Sequence, residues 1–212
     1  MLATKDGIKH RQLAESLAER GLTALRFDFA GRGESDGDVF DLSYTHEVED
    51  LRAAIAFLVG RGIERLAIFG SSMGGSVALL AAAQEQRVEA VATVAAVAYP
   101  DRLTERYPED TADWQDLGYI EVGGHRISSG FIQDAEEHNV LRAVGAIEIP
   151  LLIMHGLDDE VVPVADADDI AAAAHHVSMS LIEGADHSFS DARQRAYVVE
   201  EAADFFTDIL LD

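Results

Sequence analysis

The chain has 212 residues, 48% of them apolar, enough for one well-buried domain and too few for two comfortable ones. Its 39 acidic residues against 16 basic ones leave a formal charge of −23, which excludes tracking a nucleic-acid backbone; two Lys, fourteen Arg and acids spread along the whole length are the composition of a salt-adapted protein. Cys is absent, so a disulfide framework, a thiol nucleophile and a thiolate metal site are excluded, and a reducing compartment, the cytoplasm, is expected.

Met1-Leu2-Ala3-Thr4-Lys5-Asp6 lacks the basic flank and apolar core of a signal peptide. His10 to Arg20 places Leu13, Ala14, Leu17 and Ala18 on one helical face and stops at Gly21. Leu22 to Phe29 reads as a short buried strand. Val48, Leu51, Ile55, Leu58 and Val59 mark a second helix before Gly60. Arg65 to Gly70 is the next strand, Met73 to Gln86 an Ala-rich helix, and Glu89 to Ala98 a strand of mostly Val and Ala. The longest apolar stretch, Ala90 to Tyr99, falls short of the roughly 18 to 20 residues that span a bilayer, so no membrane anchor is expected.

Tyr99 to Glu148 breaks the alternation with Pro100, Pro108, Trp114 and many acids, an insertion of about 50 residues and too long for an ordinary connection. The pattern resumes with a strand at Pro150 to Met154, a helix at Ala165 to Ala174, a strand at Met179 to Glu183 and a final helix facing inward through Val199, Ala202, Phe206 and Ile209. Helices alternating with strands imply an α/β domain over 1–212: a mostly parallel sheet, helices on both faces, ligands at the carboxyl ends of the strands.

Three sequences fall just beyond strand ends. Gly70-Ser71-Ser72-Met73-Gly74 is a G-x-S-x-G between strand and helix, the setting of a nucleophile elbow, where the tight turn exposes the Ser72 hydroxyl and leaves no room for side chains at Gly70 and Gly74. A serine needs a base, itself held by an acid. His155-Gly156-Leu157-Asp158-Asp159 offers two acids, and Gly184-Ala185-Asp186-His187 offers the histidine, His187; His155 precedes the acids instead of following them. His175-His176, expected on a helix with side chains pointing apart, makes a poor metal site, and no cofactor is called for.

These motifs, with Arg26-Phe27-Asp28-Phe29-Ala30-Gly31-Arg32-Gly33-Glu34-Ser35 and Leu181 to His187, resemble the α/β-hydrolase fold family from about Leu2 to Leu211. Within it they are similar to the serine hydrolases grouped with serine aminopeptidases, acylglycerol lipases and cinnamoyl or feruloyl esterases. The resemblance implies acyl transfer on Ser72 with His187 as base, Asp159 as acid, Asp158 the alternative, and the N–H of Met73 as one oxyanion donor. Tyr99 to Glu148 resembles a short lid, in which Trp114, Tyr119 and Phe131 either line an acyl or aromatic pocket or pack the lid onto the core; Gly31 and Gly33 are read as turn formers and Ser35 as a loop-shaping residue with no catalytic role.

The chain departs from the family at its start. The resembling proteins place a strand ending in His-Gly-aromatic before the stretch matching Leu2 to Asp6, and the residue after His-Gly donates the second oxyanion N–H. Met1 would stand roughly there. The family's first three strands have no counterpart, so the fold is expected to be N-terminally truncated, with a sheet gap between Leu22–Phe29 and Arg65–Gly70 and Met1 an internal methionine of a longer natural protein. The expected activity is hydrolysis of small aromatic or medium acyl esters, with a catalytically weak binding or regulatory protein, or a peptidase or other acyl hydrolase on the same fold, as alternatives.

Overall fold

Runs of aliphatic residues separated by helices build a parallel sheet in the computed structural model, which describes residues 3–122 and 124–211. In chain order come α1 (Ile8–Glu19), α2 (Tyr44–Val59), β1 (Leu66–Ser71), α3 (Met73–Ala82) and β2 (Val88–Val94). The insertion follows, with α4 (Leu103–Arg106), α5 (Pro108–Thr111), α6 (Trp114–Leu117), an antiparallel hairpin of β3 (Tyr119–Val122) and β4 (His125–Ser128), α7 (Gly130–Glu136) and α8 (Val140–Val144). β5 (Leu151–Gly156), α9 (Val164–Ala173), β6 (Val177–Ile182) and α10 (Ala192–Leu211) complete the chain. The main sheet has the order β1-β2-β5-β6, every pair parallel.

The two central strands are buried on both faces, as parallel strands under helices must be. β2 sends Val88 and Val91 to one side and Ala90, Ala92 and Val94 to the other; β5 divides Leu151 and Ile153 from Leu152 and Met154 in the same way. α2, α3, α8 and α9 close over the first side, α1 and α10 over the second. α3 is apolar all round and is buried along nearly its whole length. Register sets Ser71 beside Val94, Val94 beside Met154 and Gly156 beside Ile182, so the segments after β1, β5 and β6 leave the same edge of the sheet.

Caps move element ends from where periodicity alone puts them. The Ser43 hydroxyl accepts from the N–H of His46 at 3.0 Å and starts α2 at Tyr44 instead of Val48. His175 and His176 lie beyond α9, not on a helix, and the Nε2 of His175 reaches the Gly145 carbonyl at 3.0 Å.

Leu22–Phe29 is the main correction. It joins no ladder among the described residues, and Leu25 is 41% exposed. Among the described residues β1 is paired on one side only, to β2. A strand exists through the backbone edge beside it, and no described segment is hydrogen-bonded between 22–29 and β1. Side chains hold the segment instead. Asp28 accepts from the N–H of Lys5 at 2.6 Å, from Lys5 Nζ at 2.7 Å and from the N–H of Glu34 at 3.0 Å, while the Ser35 hydroxyl donates to its carbonyl. Gly33, at φ 54°, lies so close that a Cβ would stand 2.1 Å from the Asp28 carboxylate. Outside the segment a groove of about 410 Å³ runs to α2, with Leu25, Phe27, Ala54 and Phe57 among its walls.

On α1, His10 packs edge-on against Phe69 of β1 with ring centroids 5.7 Å apart. Burial, helped by the nearby positive charges of Lys9 and Arg26, pushes its pKa down to about 4. The unfolded chain binds that proton near pH 6.5 and the folded one does not. The stability conferred by a neutral His10 is therefore complete above pH 6.5 and is lost as the pH falls towards 4. Urea melts of His10→Phe should show a flatter dependence on pH between 6.5 and 4 than the wild type, by up to about 3 kcal/mol.

Candidate active site

The turn from β1 to α3 is built on backbone contact. Ser72 sits at φ 56°, ψ −129°, a region costly for a side-chain-bearing residue, and its N–H is tied to the Val94 carbonyl at 2.9 Å. A Cβ on Gly70 would stand 2.2 Å from the Gly74 carbonyl oxygen, and one on Gly75 would stand 2.8 Å from the Ala96 Cβ. Gly74 has nothing within 4 Å, which corrects the expectation that it must lack a side chain: the close approaches are at Gly70 and Gly75. Met73 opens α3, so its N–H has no partner within the helix and lies at the positive end of the helix dipole. Met1, expected near a second donor position, lies outside the described residues.

The loops after β5 and β6 are lashed together. Leu157 donates its N–H to the Ile182 carbonyl at 2.9 Å and Asp158 to the Ala185 carbonyl at 3.1 Å. Gly156 is so near that a Cβ there would stand 2.2 Å from the same Ala185 oxygen. The β6 loop is anchored from below by buried Phe189, held at φ 55° with the Lys9 ammonium 4.9 Å from its ring centre. Lys9 Nζ also donates to the Ser71 hydroxyl at 3.1 Å, and burial pushes its pKa down to about 8.

These constraints bring Ser72, His187 and Asp159 into one line. Ser72 Oγ is 3.0 Å from His187 Nε2, and His187 Nδ1 is 2.8 Å from Asp159 Oδ2. A carboxylate only accepts, so Nδ1 carries the imidazole proton and Nε2 accepts from the Ser72 hydroxyl. The Asp159 side chain is fully buried, whereas Asp158 is exposed and reaches neither histidine by a hydrogen bond or ion pair. The other Asp159 oxygen takes the N–H groups of Val161 and Val162, each at 2.8 Å. Burial alone would raise the Asp159 pKa, but hydrogen bonds from His155, His187 and these two N–H groups outweigh it and hold the group well below the usual carboxylate range.

The three aromatic pocket candidates divide. Trp114 and Phe131 are 1% and 2% exposed, stacked on each other at 6.2 Å, with Phe131 stacked in turn on Tyr44. They pack the insertion onto Tyr44 of α2 and present no open face, because large rings gain most from full burial. Tyr119 is half-buried under the Arg126 guanidinium. Sequence reasoning missed Lys9 and left Gly75, Gly156 and His155 without a role, since each matters through a partner distant in the chain.

A parallel sheet, helices on both faces, a strand–turn–helix serine and a helical and antiparallel insertion after the second strand define an α/β-hydrolase. Residues 12–212 match the sequence pattern of the prolyl oligopeptidase family, and the chain belongs to that family. It is 32% identical over 174 residues to the mitochondrial palmitoyl-protein thioesterase of Mus musculus, a match that takes in 76% of this chain and 57% of that protein. Among solved structures, Est1E from Butyrivibrio proteoclasticus with ferulic acid bound superposes with a TM-score of 0.86 at 20% identity, covering 100% of this chain and 86% of that one. The esterase domain of a Rhodothermus marinus protein superposes with a TM-score of 0.72 at 27% identity, covering 94% and 80%.

The elbow's steric limits are open to test by urea denaturation. Gly70→Ala should destabilise the fold by at least about 2 kcal/mol through overpacking against backbone. Gly74→Ala, with open space and a helical position, should be neutral or stabilising by up to about 1 kcal/mol.

Proposed function

We propose that the chain hydrolyses carboxylic esters through an acyl-enzyme on Ser72. The observation that carries this reading is the unbroken hydrogen-bond relay Ser72–His187–Asp159, with spacings of 3.0 and 2.8 Å, at the carboxyl edge of the sheet. His187 takes the Ser72 proton as Oγ attacks the carbonyl carbon and returns it to the leaving alcohol; a water then repeats the cycle and frees the acid. Asp159 keeps the proton on Nδ1 and stabilises the imidazolium. The N–H of Met73 donates to the oxyanion.

Residues 99–148 act as a lid that sets substrate choice. Arg106 pairs with buried Asp166 at 3.1 Å, and the Tyr107 hydroxyl donates to the Val161 carbonyl at 3.0 Å, which ties the insertion to the loop holding Asp159. Small aromatic and medium acyl groups are the expected substrates. The similarity to a palmitoyl-protein thioesterase favours a second reading, acyl thioesters, which suit the same chemistry because a thiolate is the better leaving group.

A fluorophosphonate probe in molar KCl, which screens the charge of −23, tests the reading. The wild type should label and Ser72→Ala should not. On a panel of p-nitrophenyl esters, a feruloyl ester and an acyl thioester, Asp159→Asn should lower kcat by roughly four orders of magnitude. A wild type that folds by circular dichroism and neither labels nor hydrolyses the panel would overturn it in favour of a binding role.

A further inference from the structure

A second histidine holds the same carboxylate. His155, at the end of β5, is fully buried, and its Nε2 lies 2.9 Å from the Val162 carbonyl and 3.3 Å from Asp159 Oδ2, the oxygen that also receives His187. Both neighbours only accept, so Nε2 carries the proton. Nδ1 is buried with no hydrogen-bond partner, and a second proton there would be a buried, unpaired N–H; the ring is therefore neutral. The contacts close a circuit: Val162 donates its N–H to one oxygen of Asp159, His155 donates to the Val162 carbonyl, and the same His155 N–H leans on the other oxygen.

We propose that His155 is a positioning residue for the reaction: its shared Nε2–H fixes the Asp159 carboxylate and draws off part of its negative charge, which sets how strongly Asp159 favours the imidazolium of His187. The proposal rests on the hydrolase reading for its consequence in turnover, and on geometry alone for its effect on His187. With the His155 N–H removed, Asp159 Oδ2 keeps a single donor and presents more charge to His187, so the proton affinity of His187 rises. Lys9 on α1, which feels the charges of Asp159, of Asp186 on the loop of His187 and of Arg195 on α10, also faces the site, and a substitution at residue 155 leaves these charged side chains in place.

The test is NMR titration of the His187 ring in the full 212-residue chain, with kcat/KM against pH for a p-nitrophenyl ester measured alongside. In His155→Phe the His187 titration should move up by about half to one pH unit, a threefold to tenfold change in proton affinity, with the acid limb of kcat/KM moving the same way. His155→Gln, whose amide can donate from nearly the same place, should bring both back towards the wild type. A merely structural residue would lower the melting temperature and leave the His187 titration in place, and that result overturns the proposal. Should His155→Phe fail to fold, ring nitrogen shifts in the wild type decide: a neutral His155 with its proton on Nε2 supports the proposal, and an Nδ1–H or charged ring overturns it. A wild type without esterase activity in which His155→Phe still shifts His187 would sink the hydrolase reading and leave the grip of His155 on Asp159 intact.

Discussion

The structure turns on one buried carboxylate. Asp159 carries a charge with no exposed side-chain surface, and an unpaired ion in such a place would cost several kcal/mol. It is kept by donors on every side: two backbone N–H groups of its own loop, His187 from the loop after β6, and the N–H of His155 from β5. Satisfying that charge draws two strand ends into a fixed relation, and the same contacts orient the imidazole towards Ser72. The local physics of a desolvated ion thus organises the site.

Parallel pairing makes the meeting possible. Helical crossovers return every strand in the same direction, so all carboxyl ends gather at one edge. The sheet can be packed this tightly because backbones touch where side chains are missing, at Gly70 against Gly74, Gly75 against Ala96 and Gly156 against Ala185. The positive φ of Ser72 and Ala95 falls beside these contacts, where the N–H of Ser72 is tied to the Val94 carbonyl and that of Ala95 to the Met154 carbonyl; Phe189 takes the same conformation with its N–H on the Asp186 carbonyl.

The region before β1 is held by a different kind of force. Residues 22–29 have the composition of a strand and join no ladder among the described residues, and Asp28, Lys5, Glu34 and Ser35 fasten them through side chains. Burial would raise the pKa of Asp28, but the hydrogen bonds from Lys5 and Glu34 lower it to about 2, and the anion stays charged. Side-chain ties fix a loop at a few points and do not replace a ladder; among the described residues β1 is paired on one side only, and the side chain of Leu25 is exposed.

Much of the molecule was legible in the sequence because its signals are local. The alternation of helices with strands, the G-x-S-x-G turn, and an acid and a histidine just past strand ends follow from periodicity and glycine spacing, and the insertion announces itself by losing both. Tertiary structure decided the rest. That Leu22–Phe29 joins no ladder depends on pairing that no described segment supplies, not on its own apolar residues. That Trp114 and Phe131 fill the core depends on what the insertion packs against, and that Asp159 instead of Asp158 meets His187 depends on which face of a loop turns inward. His155, Lys9, Gly75 and Gly156 acquire their roles only when segments far apart in the chain come within a few ångströms, because hydrogen bonding and steric exclusion act through distance in space and leave no mark on the spacing of residues along the chain.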